Sequence, residues 1–521
     1  MKKRLITVLG VGLLAAASLS SCAGQDDGSI VFWHCLGHDK AEVLNSIAEK
    51  FNEQYAGTYH VKLEGIAGDY DSLAENLYNK MSSGSSCDMT MGYPDSFCEY
   101  IGDDELVKLD DYIDSSDPEM ALTAAEKADF VKQYYEEGQK YQYPGTWSMP
   151  LYKSTEAMFY NENFFSGANP ETQKRQKRVL DAYKAEGHTA DEIAAETQRI
   201  KTEEIYTYYI DEAGNIGSTA ANEAKRVPQY WDEMIKVARA VLANREAEGL
   251  SNKNYFPIGY DSDSNLYISQ FKQRGIPFTT NDNITDKIDH LQFSSQNQGA
   301  VDFVTEVTNL VSEGVLITKG SQGGTEYTNK HFNQGNMLMC IGSTGGSTYQ
   351  MSKTYSIKLA PVPYYNPVTA GKLADGTVSA REGRNPAYIL QGPSIAFFKT
   401  GNTAKQKGAW LFYKMIADPE NNAKVAFENS YDPVRVSSYE TDFYKAALAD
   451  ADLPENLSKL NYQVPKVTSV IKDYYMTSPV FYGSAGARRF IGNVTGYVKL
   501  NKDTVEEALD KAYSEAARTL K

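Results

Sequence analysis

Apolar residues along this chain follow two rhythms that alternate, and the alternation predicts the fold. Ser29-Ile30-Val31-Phe32-Trp33 is a short continuous apolar run of the kind that forms a buried strand. After residues 34–38, Val43, Leu44, Ile47, Phe51 and Tyr55 recur at helical spacing and predict a helix with one apolar stripe. His60-Val61-Lys62-Leu63-Glu64 alternates as a second strand, and Leu73, Leu77 and Met81 stripe a second helix. Asp88-Met89-Thr90-Met91-Gly92 predicts a third strand that ends in the turn Tyr93-Pro94-Asp95. Strands alternating with amphipathic helices argue for an α/β fold with a mainly parallel, doubly wound sheet. Ligands of such sheets bind beyond the carboxyl ends of the strands, which singles out residues 34–38 and 93–96.

Residues 166–226 break this pattern. Pro170 to Gly187 and Thr189 to Tyr209 are charged helical stretches, the second opened by a capping box of Thr189 and Glu192. Asp211-Glu212-Ala213-Gly214-Asn215 then predicts a turn, so the block reads as a surface insertion made of a helical hairpin and a small β-turn. Its charge density is that of a solvated face. Pro228 to Glu233 opens a further helix, and Thr504 with Glu507 caps a last helix striped by Val505, Ala508, Leu509, Ala512 and Ala516. No repeat of 20–50 residues is visible in the sequence, which argues against solenoids and propellers.

The amino terminus sets the expected compartment. Met1-Lys2-Lys3-Arg4 is a basic segment followed by the apolar stretch Leu5 to Ser20, the arrangement of a cleaved export signal. It ends in Leu19-Ser20-Ser21-Cys22, which resembles a bacterial lipobox, where cleavage precedes the cysteine and its sulfur carries a diacylglyceryl group. Cys22 is therefore the expected lipidation site, residues 1–21 the signal and 22–29 a polar tether, placing the protein on the cell membrane facing the extracytoplasmic side. Four other cysteines stand at 35, 87, 98 and 340 without any C-x-x-C pair. Cys87 and Cys98 suit either a disulfide or two buried thiols. With 521 residues the chain is too long for one ordinary core, and two or three lobes are expected. Lys and Arg number 52 against 68 Asp and Glu, a net charge of −16 that argues against a nucleic-acid partner. The 37 tyrosines against 6 histidines favour surfaces that stack and hydrogen-bond over metal cages.

Several separated stretches line up with one family. They are Ile30 to His34, Leu106 to Ile113, Met149-Pro150-Leu151 through Met158-Phe159-Tyr160-Asn161, and Tyr230 to Met234. They continue with Phe332 to Met339, Gly392 to Lys399, Ala409 to Tyr413, and Asp432-Pro433-Val434-Arg435. In order and spacing the chain resembles the family 1 extracellular solute-binding proteins of ABC importers, the group that includes maltose-binding protein. The resemblance covers 28–165 and 226–521 and leaves the 166–226 block unmatched.

The resemblance implies a two-lobe periplasmic-binding-protein-like α/β fold of type II, with a hinge that the chain crosses more than once and the helical insertion added. By that likeness the N-terminal lobe takes 28–152 and 388–445, and the C-terminal lobe 153–387 and 446–521. It further implies a monomer without enzymatic activity or cofactor, which captures a mono- or oligosaccharide in the interlobe cleft and delivers it to ABC permease subunits. Position in the family pattern puts Trp33, His34 and His38 at the end of the first strand, and Tyr93 and Asp95 after the third, at the ligand. Glu156 matches a position that accepts a sugar hydroxyl, and the second lobe offers Asn265, Tyr267, Thr344, Gly345, Tyr482 and Ser484. Arg435 lies in the Pro-x-Arg turn, as a ligand clamp or a structural ion pair. Small residues at 343–346 stand where maltose-binding protein stacks a Trp, which weakens any inference of maltodextrin specificity.

Other motifs fail on their chemistry. His34-Cys35-Leu36-Gly37-His38 supplies soft ligands but no third or fourth partner for zinc. Asp261-Ser262-Asp263-Ser264-Asn265 begins like a calcium loop, yet Leu266 replaces the glycine and Lys272 the closing acid. Gly342 to Gly346 lacks the ending of a phosphate loop. The alternatives are a surface-anchored carbohydrate-active hydrolase using a pair such as Asp95 and Glu156, and a binder of a polyol phosphate or peptide.

Overall fold

The computed structural model describes residues 28–82, 87–168, 170–203, 207–211, 214–216, 226–246, 248–250, 254–366, 386–456 and 458–521. The export signal, Cys22 and the greater part of the tether lie outside the described residues. The strands are β1 (Ile30–His34), β2 (Val61–Gly65), β3 (Met89–Gly92), β4 (Met149–Pro150), β5 (Glu156–Asn161) and β6 (Phe256–Tyr260). They continue with β7 (Leu316–Thr318), β8 (Met337–Ser343), β9 (Ile357–Pro361), β10 (Tyr388–Ile389), β11 (Ser394–Phe397) and β12 (Tyr475–Met476).

Two five-stranded sheets result, in the orders β2-β1-β3-β11-β4 and β7-β6-β8-β5-β9, with β10 and β12 paired separately. β1 runs parallel to β2 and β3, with Ile30 opposite Val61 and Phe32 opposite Met89. β6 likewise runs parallel to β7 and β8. The expected parallel order is thus right for most strands, but one strand of each sheet is reversed. β11 is antiparallel to β3 and β4, and β5 is antiparallel to β8 and β9. The reason is connectivity. β4 leads straight into β5, and β9 precedes β11, so each reversed strand is the one by which the chain enters a sheet from the other. A chain that leaves one sheet at its carboxyl edge and enters the facing sheet at the same edge must run backwards through it.

Each sheet is wrapped by helices whose apolar stripes follow the sequence. The helix His38–Gln54 buries Leu44, Ile47 and Phe51, while Val43 and Tyr55 are only half-buried. Its Phe51 packs edge-on against Phe412 of the helix Thr403–Ile416, which also meets Phe32 of β1. The last helix, Val505–Ala517, is capped reciprocally: Glu507 N donates to Thr504 Oγ1 (3.2 Å) and Thr504 N to Glu507 Oε2 (2.8 Å). In the charged block, the helices Pro170–Ala185 and Ala190–Glu203 pack on each other, and Thr189 and Glu192 exchange the same pair of bonds. Tyr208 ties the block down, its hydroxyl donating to Glu248 (3.0 Å), and Tyr209 donates to Glu162 (2.8 and 2.7 Å). Cys35, Cys87, Cys98 and Cys340 are all free thiols.

The crossovers between sheets lie side by side. Lys153 and Asp432 exchange backbone hydrogen bonds of 2.9 and 2.6 Å, and Ser154 and Gln391 exchange bonds of 2.9 and 2.8 Å. Gly392 turns there with φ of 90°. A Cβ on it would stand 2.7 Å from the Tyr152 carbonyl oxygen, so only glycine fits. Under the turn, the fully buried Lys153 ammonium donates to the Glu137 carboxylate, to Gly392 O (3.0 Å) and to Ser394 Oγ (3.0 Å).

Candidate functional site

Because parallel strands aim their carboxyl ends at the facing sheet, the segments after β1, β2, β3, β6 and β8 meet the crossovers in one recess between the two sheets. One part is built of tyrosines. Tyr70 opens the helix after β2, Tyr93 follows β3, and Tyr152 and Tyr431 come from the crossovers. The rings of Tyr70 and Tyr93 meet edge-on at 5.0 Å, those of Tyr152 and Tyr431 at 4.3 Å, and the hydroxyls of Tyr70 and Tyr431 are 3.4 Å apart. Gly345, after β8, lies against Tyr431, where a Cβ would come within 2.3 Å of the ring. Lys40 Nζ donates to Gly345 O (3.2 Å), linking the two sheets directly.

The other part is polar. Glu156, at the start of β5, is buried and accepts from Tyr260 OH (2.6 Å) and Asn265 Nδ2 (2.8 Å). Arg488, on the helix Ser484–Gly492, donates to Asn265 Oδ1 and faces Asp95 of the opposite sheet. Burial raises the Asp95 carboxyl above its ordinary range, and the Arg488 guanidinium pulls it the other way. Tyr93, Asp95, Gln391, Ser484 and Arg488 line the same hollow. Gln391 Oε1 and Ser484 Oγ are buried there without a protein partner. Buried polar atoms without a protein partner are exceptions in a folded chain. The hollow encloses about 60 Å³, the share of roughly two waters in the liquid. Small-molecule pockets span about 300–1,000 Å³, so the hollow as it stands is smaller than a typical ligand site.

The remaining residues singled out by sequence are placed elsewhere. Trp33 is buried in β1, its indole N–H donating to Glu64 (3.0 Å). His34 is buried beside Phe32, its Nδ1 accepting from Leu36 N (3.2 Å), and burial pushes its pKa below the ordinary histidine value. His38 is fully exposed beside Asp39. Thr344 is buried and pairs with Thr155, its Oγ1 accepting from Thr155 N (3.3 Å). Tyr267 packs among Phe271 and Phe303 with its hydroxyl 2.8 Å from Thr495 Oγ1. Arg435 donates to Asp129 (2.8 Å) and lies over Phe130, which makes it a structural ion pair. Tyr482 is covered by Lys521 at 4.4 Å. The sequence reading therefore overlooked Tyr70, Tyr152, Tyr431, Gln391 and Arg488. Tyr70 alone had a local signal, since it begins the segment after a strand.

Burial pushes the Glu156 carboxyl from 4.5 up to about 7, against the pull of its two donors. A carboxyl held more tightly protonated in the fold than in the open chain lowers folding stability as pH rises between those values. The Glu156→Gln variant is therefore expected to be more stable than the parent above pH 7 by about 3 kcal/mol. The difference should shrink toward pH 4.5, as measured by urea denaturation across that range; a difference independent of pH would contradict it.

The model of the family described as bacterial extracellular solute-binding protein matches residues 46–216 and 214–455. No curated protein matches the sequence. Among solved structures, the chain is similar to UgpB from Mycobacterium tuberculosis in complex with glycerophosphocholine, at 16% identity and a TM-score of 0.62 over 94% of this chain and 98% of that one. It is also similar to the GacH receptor of Streptomyces glaucescens, at 15% identity and a TM-score of 0.60 over 95% and 98%. A third is the ABC substrate-binding protein Lmo0181 from Listeria monocytogenes in complex with cycloalternan, at 14% identity and 0.61 over 94% and 98%. Those likenesses establish the two-lobe periplasmic-binding-protein-like fold, and no helix among the described residues is long and apolar enough to cross a membrane. With its family pattern matched over most of its length and its two sheets facing across a polar, tyrosine-lined recess, the chain belongs to the bacterial extracellular solute-binding proteins.

Proposed function

We propose that this chain is the solute-capture subunit of an ABC importer, anchored by a lipid on Cys22, which binds a carbohydrate between its lobes and hands it to the permease without chemical change. The observation that carries this reading is the recess, where aromatic faces stand beside polar groups that have no protein partner. A sugar ring has apolar C–H faces that stack on tyrosine and hydroxyls that need fixed acceptors and donors. Tyr93 and Asp95 approach it from one lobe, and Glu156, Asn265, Gly345 and Ser484 from the other. A ligand touching both lobes binds the closed form better than the open one and shifts the hinge equilibrium by that difference. The structural neighbours' ligands include cycloalternan and glycerophosphocholine, so the family frame alone does not select the solute.

The test is a thermal and calorimetric screen of the chain from Ala23 onward against neutral mono- and oligosaccharides, with glycerophosphocholine included. A true ligand at 100 times its Kd adds about 2.7 kcal/mol of stability. The expected result is a 1:1 complex with one saccharide class. A response to glycerophosphocholine alone, or to no sugar in the panel, contradicts the proposal.

A further inference from the structure

A second hollow, outside the interlobe recess, lies behind the crossovers, over Asp432. It encloses about 280 Å³, several times the space left in the recess. Its walls come from the segment after Asp432 and from the helix Leu460–Ile471. That helix carries Pro465 in its interior, which has no N–H to pair with the Asn461 carbonyl. Nothing in the capture of a solute between the lobes uses this hollow.

The floor is the Asp432 carboxylate, 2% exposed. Its Oδ1 accepts from Thr468 Oγ1 (2.7 Å) and its Oδ2 from Tyr475 OH (3.2 Å). The Tyr134 hydroxyl also pulls on this carboxylate, and of its roughly four acceptor positions one remains for an occupant. Tyr439 and Tyr444 form an aromatic corner, their rings 5.2 Å apart and nearly perpendicular. At the rim, Lys466 is held by Asp452 (2.5 Å), while the Lys472 ammonium lies 5.4 Å from the Tyr439 ring centroid.

We propose that this hollow is a second ligand site, separate from the interlobe recess, that takes one neutral polyhydroxylated ring of monosaccharide size. The charges select the class. A buried carboxylate at the floor repels an anion, and Lys472 already supplies positive charge over the aromatic corner, which disfavours a cation. A neutral ring satisfies both, placing hydroxyls between the acid and the ammonium and its C–H face against tyrosine. The volume corresponds to roughly nine waters, enough for one ring and too small for a chain of them. Asp432 also pairs through its backbone with Lys153 at the crossover, so an occupant is held by a residue that ties the two sheets together.

The experiment uses the chain from Ala23 onward, titrated by calorimetry and ligand-observed NMR with D-glucose, D-galactose, D-mannose and D-xylose. Leu448→Trp fills the hollow from its exposed edge without removing a hydrogen bond, and Lys472→Met removes the free donor; circular dichroism and melting establish that each is folded. Arg488→Met disables the recess instead. The expected result is saturable binding of at least one of these sugars that survives Arg488→Met and weakens at least tenfold in both Leu448→Trp and Lys472→Met. Binding lost with Arg488→Met and unchanged in both hollow variants overturns the second site while leaving the interlobe reading intact. The absence of saturation by all four sugars up to about 10 mM, a binding free energy weaker than roughly 3 kcal/mol, overturns it as well.

Discussion

Replacing Lys153 with methionine will remove about 3–5 kcal/mol of folding stability. The side chain is fully buried, and its ammonium serves the Glu137 carboxylate, the Gly392 carbonyl and the Ser394 hydroxyl at once. Methionine fills much of the same space but leaves Glu137, itself 6% exposed, as a buried charge with no cation. The loss is comparable with a large part of the 5–15 kcal/mol that holds an ordinary domain together. Guanidinium denaturation followed by fluorescence measures it. The double variant Glu137→Gln/Lys153→Met should regain a substantial part, because it removes the stranded charge along with its partner. A loss below 1 kcal/mol, or no recovery in the double variant, would show that the ion pair does not support the crossover.

The second large effect is on ligand capture. Arg488→Met should weaken binding of the interlobe ligand by about 2–5 kcal/mol, or roughly 30-fold to several thousandfold. Arg488 joins the two halves of the recess: it donates to Asn265, which donates to Glu156, and it faces Asp95 on the opposite sheet. Its removal leaves the buried Glu156 and the half-buried Asp95 without a cation and Asn265 without its donor. Calorimetry on the folded variant should show the loss with the whole ligand class. Affinity within threefold of the parent would place the site elsewhere.

The sequence made some of this architecture legible and hid the rest for physical reasons. The first three strands, the apolar stripe of the helix His38–Gln54 and the capping boxes at Thr189 and Thr504 are local patterns, and each is written in consecutive residues. Strand direction is not. The short apolar runs of β5 and β11 are the same whether the chain runs up or down, and their reversal follows only from which sheet the chain has just left. Alternation also fails where both faces of a strand are covered, as at Trp33, whose indole turns to Glu64. Arg435 and Tyr267 find their partners, Asp129 and Thr495, far along the chain. The recess was legible where a turn follows a strand, at Tyr93 and Asp95. It was hidden where crossovers from distant segments supply the side chain, at Tyr152, Gln391 and Tyr431.

The account depends on two lobes that part to admit a solute and close upon it. Small-angle X-ray scattering of the chain from Ala23 onward, with and without a saturating saccharide identified by the thermal screen, tests this directly. A decrease in radius of gyration that tracks calorimetric saturation is the predicted result. A radius that stays constant while the sugar binds to saturation would contradict the account.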